Sequence, residues 1–293
     1  MLVFSALVAG SFSLGAEAAP FIDPLALNAA RFAFATGVIA ALALLLGKLR
    51  REHLAQPWRF GVWGGLMATY FAMMFWALKT AEPVSLAAVF TLTPVMTALL
   101  SWLLLRQAMT ARMGLALAVA ATGAIWVIFG ADLQAIRAFD VGKGEIIFFF
   151  GCIAHAAYAP SVPRLSRGEP GVVQTLGMLV GGTIVLAIFG LKPLLETDWT
   201  ALPGIVWVTI LYLTLATSAL TFFLLQYAAM RLKGAKVMAY TYLVPVWVIL
   251  WEGARGHGWP EPGIVLGISA ILLGLALLLK HDTAALDRRA GQN

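Results

Sequence analysis

The stretch PVSLAAVFTLTPVMTALLSWLLL, residues 83–105, contains no charged residue and carries a proline, Pro94, at its middle. At 1.5 Å per residue a helix of this length crosses the roughly 30 Å hydrocarbon core of a bilayer. An amphipathic helix on the surface of a soluble protein would carry charges along one face. This segment carries none, so it reads as a membrane span interrupted at Pro94.

Working outward, comparable runs recur along the whole chain: Met1–Ala16, Pro24–Leu46, Phe60–Leu78, Pro83–Leu105, Met113–Gly130, Ile146–Pro163, Val172–Leu191, Gly204–Met230, Val237–Trp251 and Gly263–Leu279. They predict an all-α polytopic membrane protein with ten transmembrane helices. Composition agrees. Apolar residues make up 61% of the 293 and charged residues 12%, about half of the roughly 25% usual in soluble domains. Too few polar residues remain to cover a water-facing surface, which excludes a soluble enzyme, a nucleic-acid binder and a disordered chain. The first run, followed by Glu17-Ala18-Ala19, mimics a signal peptide but lacks the basic start such peptides carry, and is read as a retained helix. The single cysteine, Cys152, permits no internal disulfide or paired-cysteine metal site and reads as a small buried hydrophobe.

The net charge of +6 would suggest a polyanion partner in a soluble protein. Here its placement decides. With ten spans, alternate loops collect 14 Lys and Arg on one side and 5 on the other, with Arg31 inside a span to complete the 20. The positive-inside bias makes the first side cytoplasmic and puts both termini there. The expected location is the cell's inner membrane, with the lipid bilayer as partner, no nucleic acid, and a monomer as the expected assembly.

Sliding the chain on itself by 151 residues superposes Pro94 on Pro245, Gly123 on Gly274, Phe71 on Phe222 and Leu92 on Leu243, among nine identities in the 55 positions from Tyr70 to Ala124. Composition alone gives about four or five, a modest excess of the kind weak transporter symmetry leaves. Two five-helix halves in series, 1–140 and 141–280 with a tail at 281–293, must enter the membrane from opposite sides because five is odd. The expected architecture is therefore two inverted repeats around a central cavity, the geometry of alternating access.

These residues resemble the drug/metabolite transporter superfamily, EamA-type. Gly10-Ser11-Phe12 is similar to that family's small-polar first helix, and Pro24 with Arg31-Phe32 to its second. FWALKTAEPVSLAAVFTLTPVMTALLSWLLL (75–105) and LLQYAAMRLKGAKVMAYTYLVPVWVILWEGA (224–254) are similar to its helix 3–4 signature and the repeat of it. The acid common after the fourth helix is replaced by Arg106, and its counterpart is displaced within WEGARGHGWPEP. Among bacterial members the chain looks most like the amino-acid exporters, including the aromatic amino-acid branch. The resemblance implies a transporter without cofactor or metal. It also implies that helix 6 lines the cavity, which would bring in His155 and Tyr158, one turn apart on one face, and Ser11 from helix 1.

The remaining candidates come from the residues themselves. The chain has no GxxxxGK[ST] loop for ATP, and no HExxH or intramembrane carboxylate cluster for catalysis, so no enzyme is expected. Thr214, Thr217, Ser218 and Thr221 fall at i, i+3, i+4, i+7, a hydroxyl stripe that serves either as helix-packing glue or as cavity lining. Phe90, Tyr240 and Tyr242 stand beside the two prolines, and Tyr70 lies seven residues beyond Trp63. Aromatics at mid-depth beside a kink offer apolar faces with polar tips for a binding pocket. Pro94 and Pro245 each free a carbonyl and loosen a helix, marking expected gating kinks. Arg31 is either a structural clamp to helix-end carbonyls or Glu17, or a counter-charge for a substrate carboxylate. A mostly apolar cavity with hydroxyls and one imidazole suits a neutral or zwitterionic metabolite and disfavours sugar phosphates, which need several interior cations. The expectation is an amino-acid exporter, with an exporter of other hydrophobic metabolites or drugs, or a channel or structural subunit, as alternatives.

Overall fold

The computed structural model describes residues 1–107, 109–138, 141–232 and 234–290. Its main helices are α1 (Leu2–Ala18), α2 (Pro24–Leu45), α3 (Trp58–Ala77), α4 (Pro83–Leu105), α5 (Ala111–Ile128), α6 (Lys143–Leu165), α7 (Gly171–Glu196), α8 (Gly204–Ala229), α9 (Gly234–Ala239, Tyr240–Leu243 and Val244–Ala254) and α10 (Pro262–Ala290). No strand occurs among the described residues. Local chemistry sets the boundaries. Asp23 caps α2 by accepting the Leu25 N–H at 2.8 Å, with Pro24 in the first turn, where its missing donor costs nothing. Thr110 caps α5 through the Met113 N–H.

Eight helices, α2 to α9, are long and apolar enough to cross a membrane, whereas α1 and the apolar part of α10, Pro262–Leu278, are shorter. Leu45, Phe189, Leu195 and Leu266 stand fully exposed among many other large apolar side chains, a belt that water would not tolerate and lipid does. The chain is a multi-pass membrane protein. Eight of the ten expected spans meet that length; α1, with 17 residues, and the apolar part of α10 fall just short of it. The last helix instead runs on through Ala290, into the expected tail.

Both proline-marked helices are broken. In α4 the segments are Pro83–Phe90 and Thr93–Leu105; in α9 a 3₁₀ turn, Tyr240–Leu243, precedes Val244–Ala254. Pro94 and Pro245 each sit in the first turn of the second segment. The two carbonyls that lose their usual donors to the prolines take other ones. Thr93 Oγ1 donates to the Phe90 carbonyl, and the Thr241 carbonyl takes the Val244 N–H. Buried polar groups rarely stay unpaired, and a hydroxyl and a tightened turn supply the two missing bonds.

Segment starts keep the sequence register. Pro83 and Gly234, Thr93 and Val244, and Ala111 and Pro262 are each 151 residues apart. The helix pairing does too. Along α5 and α10, Ala116 and Ala120 meet Gly274, Gly123 meets Gly267, and the Trp126 indole donates to the Gly263 carbonyl at 2.9 Å. One helix rises as the other falls, so the pair is antiparallel. Gly123 abuts the Gly267 carbonyl while Gly274 abuts that of Ala116; since 123 and 274, and 116 and 267, differ by 151, each contact is the other moved by the sequence register. The first segment of α4 lies on the second of α9, and the second of α4 on the first of α9. In the α2–α7 pair, Leu25 meets Gly190 and Phe32 meets Gly182, again antiparallel.

At the Lys/Arg-rich end a buried ion pair joins the halves. Arg59, at the start of α3, places Nη2 2.6 Å from Glu169 Oε1, with both side chains almost wholly buried. Arg59 also donates to the carbonyls of Leu165, Ala55 and Gln56, and the Arg167 N–H donates to Glu169. Charges this deep persist only when paired and hydrogen-bonded.

Candidate substrate-binding site

Where the halves meet, a cleft is lined by Phe4, Val8, Ser11, Tyr70, Phe71, Phe90, His155, Thr217, Thr221, Phe222 and Leu225. It is nearly shut, with about 10 Å³ of free volume, room for about one water. Three pairs in the lining are register mates 151 apart: Phe4 with His155, Tyr70 with Thr221, and Phe71 with Phe222. The cleft is therefore built partly from matched positions of the 151-residue register.

Its walls are aromatic. Tyr70, Phe90, Phe148 and Phe12 form one cluster with ring centroids 5.6 to 6.2 Å apart, and the His155 ring joins it 4.5 Å from Tyr70 and 5.0 Å from Phe90. Phe32, Phe71 and Phe222 form a second, at 5.8 to 6.0 Å. Between them the polar atoms are sparse and several lack partners. Ser11 Oγ and His155 Nδ1 are buried with no hydrogen bond among the described residues. In water such groups would be solvated, and left unpaired in an apolar interior each costs about 1–3 kcal/mol.

The cleft gathers six of the residues picked from sequence: Ser11, Tyr70, Phe90, His155, Thr217 and Thr221. Four others fall outside its lining, and each has a physical reason. Thr214 and Thr217 belong to a π-helical stretch of α8, Leu213–Leu220, whose wider turn breaks the expected straight stripe; Thr214 is turned toward the Arg31 carbonyl at 3.5 Å. Tyr242 packs into a separate apolar cluster with Met113 and Ala116 of α5 and Ile271 of α10. Tyr240, half-buried in the 3₁₀ turn, is carried away from the lining by the same break. Tyr158 is wholly buried one turn beyond His155, beside Gln226, and neither side chain makes a hydrogen bond of ordinary geometry.

Gln226 was not singled out in the sequence. Leu225 lines the cleft. One turn on in α6 and α8, Ala159 and Ala229 line an open pocket of about 260 Å³ with Pro160, Pro163 and Arg231, at the Lys/Arg-rich end. Tyr158 and Gln226 thus form the layer between a shut cleft and an open pocket.

Arg31 overturns the clamp expected of it. Glu17 is taken by Arg255 at 2.5 Å. All three guanidinium nitrogens of Arg31 are buried without a hydrogen-bond acceptor among the described residues. Its contacts are ring faces: Phe71 at 3.6 Å, Phe32 at 5.1 Å and Phe75 at 5.9 Å. A desolvated cation–π contact returns about 2 kcal/mol, less than the several kcal/mol an ion loses on leaving water. The balance leaves Arg31 short of an anion.

Together, a helical membrane body and a polar-aromatic cleft at the meeting of two matched halves define the class, a membrane transporter. The chain belongs to the EamA-like transporter family, whose model matches residues 1–129 and again 142–280. Over 97% of its length it is 25% identical to an uncharacterized transporter, YyaM, of Bacillus subtilis (strain 168), spanning 95% of that protein. A crystal structure of a protein 21% identical in sequence aligns with a TM-score of 0.73 over 99% of this chain and 97% of the other, so the fold is shared.

Proposed function

We propose that the protein exports amino acids across the inner membrane, aromatic and other apolar or neutral ones among them, by alternating access between two inverted five-helix halves of ten spans in all. The Lys/Arg-rich end, with both termini, faces the cytoplasm. The observation that carries this reading is the cleft lined by register mates from both halves, with the antiparallel α5–α10 pair keeping the same register. A two-fold of this kind gives two related conformations, open to opposite sides, around one fixed site. Rings that pack an apolar side chain, with sparse hydroxyls and an imidazole, suit an amino acid better than a polyanion.

A second reading has one observation behind it. A mostly apolar groove of about 360 Å³ lies among Val89, Leu92, Ile125, Phe149 and Phe150, with Glu145 in its lining, and gives a hydrophobic metabolite or drug a way in from the lipid. Flux into proteoliposomes separates the readings. Saturable uptake of labelled phenylalanine, methionine or threonine, competed by unlabelled amino acid, supports export of amino acids. Saturable flux of apolar drugs alone supports the second reading, and flux that never saturates marks a channel. Running the panel with and without an imposed pH gradient identifies proton coupling.

A further inference from the structure

We infer that Arg31 is the seat for the carboxylate of the transported solute, reached from the cleft past the Phe71 ring. The inference rests on the amino-acid reading and deepens it: the solute must carry one carboxylate.

The guanidinium is planar and always charged, with five donors in a fork that fits a carboxylate through two parallel bonds. None of those donors has an acceptor among the described residues, and three ring faces surround it. Rings soften the charge but accept no strong hydrogen bond, so the site is complete in shape and incomplete in chemistry. Phe71 links it to the cleft, because the ring that carries the guanidinium on its face is itself part of the cleft lining.

Charge limits the ligand to one negative group. The other buried cation, Arg59, is already paired with Glu169, so a phosphate or dicarboxylate would leave charge uncompensated. Tyr70, whose ring lies 4.5 Å from that of Phe71, and Phe90 line the same cleft, and aromatic rings attract an ammonium group. A zwitterion is satisfied at both ends.

The test uses the full-length wild type in proteoliposomes and needs no variant for its first arm. Labelled phenylalanine counterflow is competed by phenylalanine, phenylalaninamide and 3-phenylpropionate. The two carboxylates should compete, and the amide should compete at least about tenfold more weakly, the discrimination a charged hydrogen bond provides. In the second arm, Arg31→Gln should erase the preference for acid over amide, and Arg31→Lys should keep part of it. Equal competition by the amide in the wild type, or an unchanged acid preference in Arg31→Gln, overturns the assignment. Binding of the same compounds to detergent-solubilised protein, read by thermal shift, separates the two proposals. Acid-selective binding without phenylalanine flux sinks the amino-acid reading and leaves Arg31 in place; phenylalanine flux with no acid selectivity does the reverse.

Discussion

Two side-chain pairs set different tasks for single residues. Arg59 and Glu169 hold the Lys/Arg-rich end together, so Glu169→Gln leaves a buried guanidinium facing a neutral amide and should cost about 3–5 kcal/mol, seen as a lower melting temperature in detergent. Burial alone would raise the Glu169 carboxyl, but the hydrogen bonds from Arg59 and the Arg167 N–H outweigh it and hold the group below its ordinary value of 4.5. A carboxylate with a depressed folded value stabilises fully above its unfolded value and loses that contribution as pH falls through the folded one. Wild-type melting temperature should therefore drop as pH falls below about 4.5, and the Glu169→Gln protein, lacking the titrating group, should lack that part of the drop. Tyr158 and Gln226 do the opposite work. Gln226→Leu removes two buried amide atoms without partners, and should stabilise by about 1–2 kcal/mol. It should also slow flux, because the polar layer between cleft and pocket becomes apolar. Unchanged or faster flux in that variant would mean that the amide does not ease the solute's passage.

Helices were the most legible element in the sequence, since a charge-free run of about twenty residues has few alternatives in any fold. The breaks in α4 and α9 were legible from Pro94 and Pro245, but the repair was not: a threonine hydroxyl in one half and a 3₁₀ bond in the other depend on backbone geometry that spacing does not encode. The cleft was half legible. Phe71 and Phe222 showed in the register match, yet Phe4 pairs with His155 across unlike residues, so identity counting passed over it. Gln226 gave no signal, because a lone amide in an apolar helix looks the same facing a partner or a path. The glycines carry a testable consequence. A Cβ on Gly123 would lie 2.5 Å from the Gly267 carbonyl, and one on Gly274 2.7 Å from that of Ala116. Both obstacles are backbone and cannot rotate aside, so Gly123→Ala and Gly274→Ala should each cost about 1–3 kcal/mol and lower folded yield alike. Gly37, with open space around its Cα, is the control: Gly37→Ala should be neutral or stabilise by up to about 1 kcal/mol through helix propensity. Unequal losses at 123 and 274 would contradict the matched contacts across the proposed two-fold.

At the scale of the whole molecule, the proposed two-fold places a closure at each end. At the Lys/Arg-poor end, α1 and α9 finish side by side and are joined by Glu17 and Arg255 at 2.5 Å. Exchanging the halves turns α1 into α6 and α9 into α4, and at the other end those two helices are joined by Arg164 donating to the Leu104 carbonyl at 2.9 Å. The closures are equivalent in place and unequal in chemistry. One is an ion pair that salt screens, the other a hydrogen bond to a neutral carbonyl. The Glu17–Arg255 pair is about one-quarter to one-third exposed, which limits it to about 1 kcal/mol, or a factor of about five in population. Glu17→Gln should therefore favour opening of that end by up to about fivefold. Ser11→Cys in the cleft reads this directly, because the native Cys152 is buried and contributes little background. Labelling by a membrane-impermeant thiol reagent from the Lys/Arg-poor side should rise in Glu17→Gln, and rise in the parent as ionic strength increases, while Arg164→Gln should lower it. If labelling is indifferent to all three changes, the end contacts are not closures, and the proposed alternating access must be governed from the cleft itself.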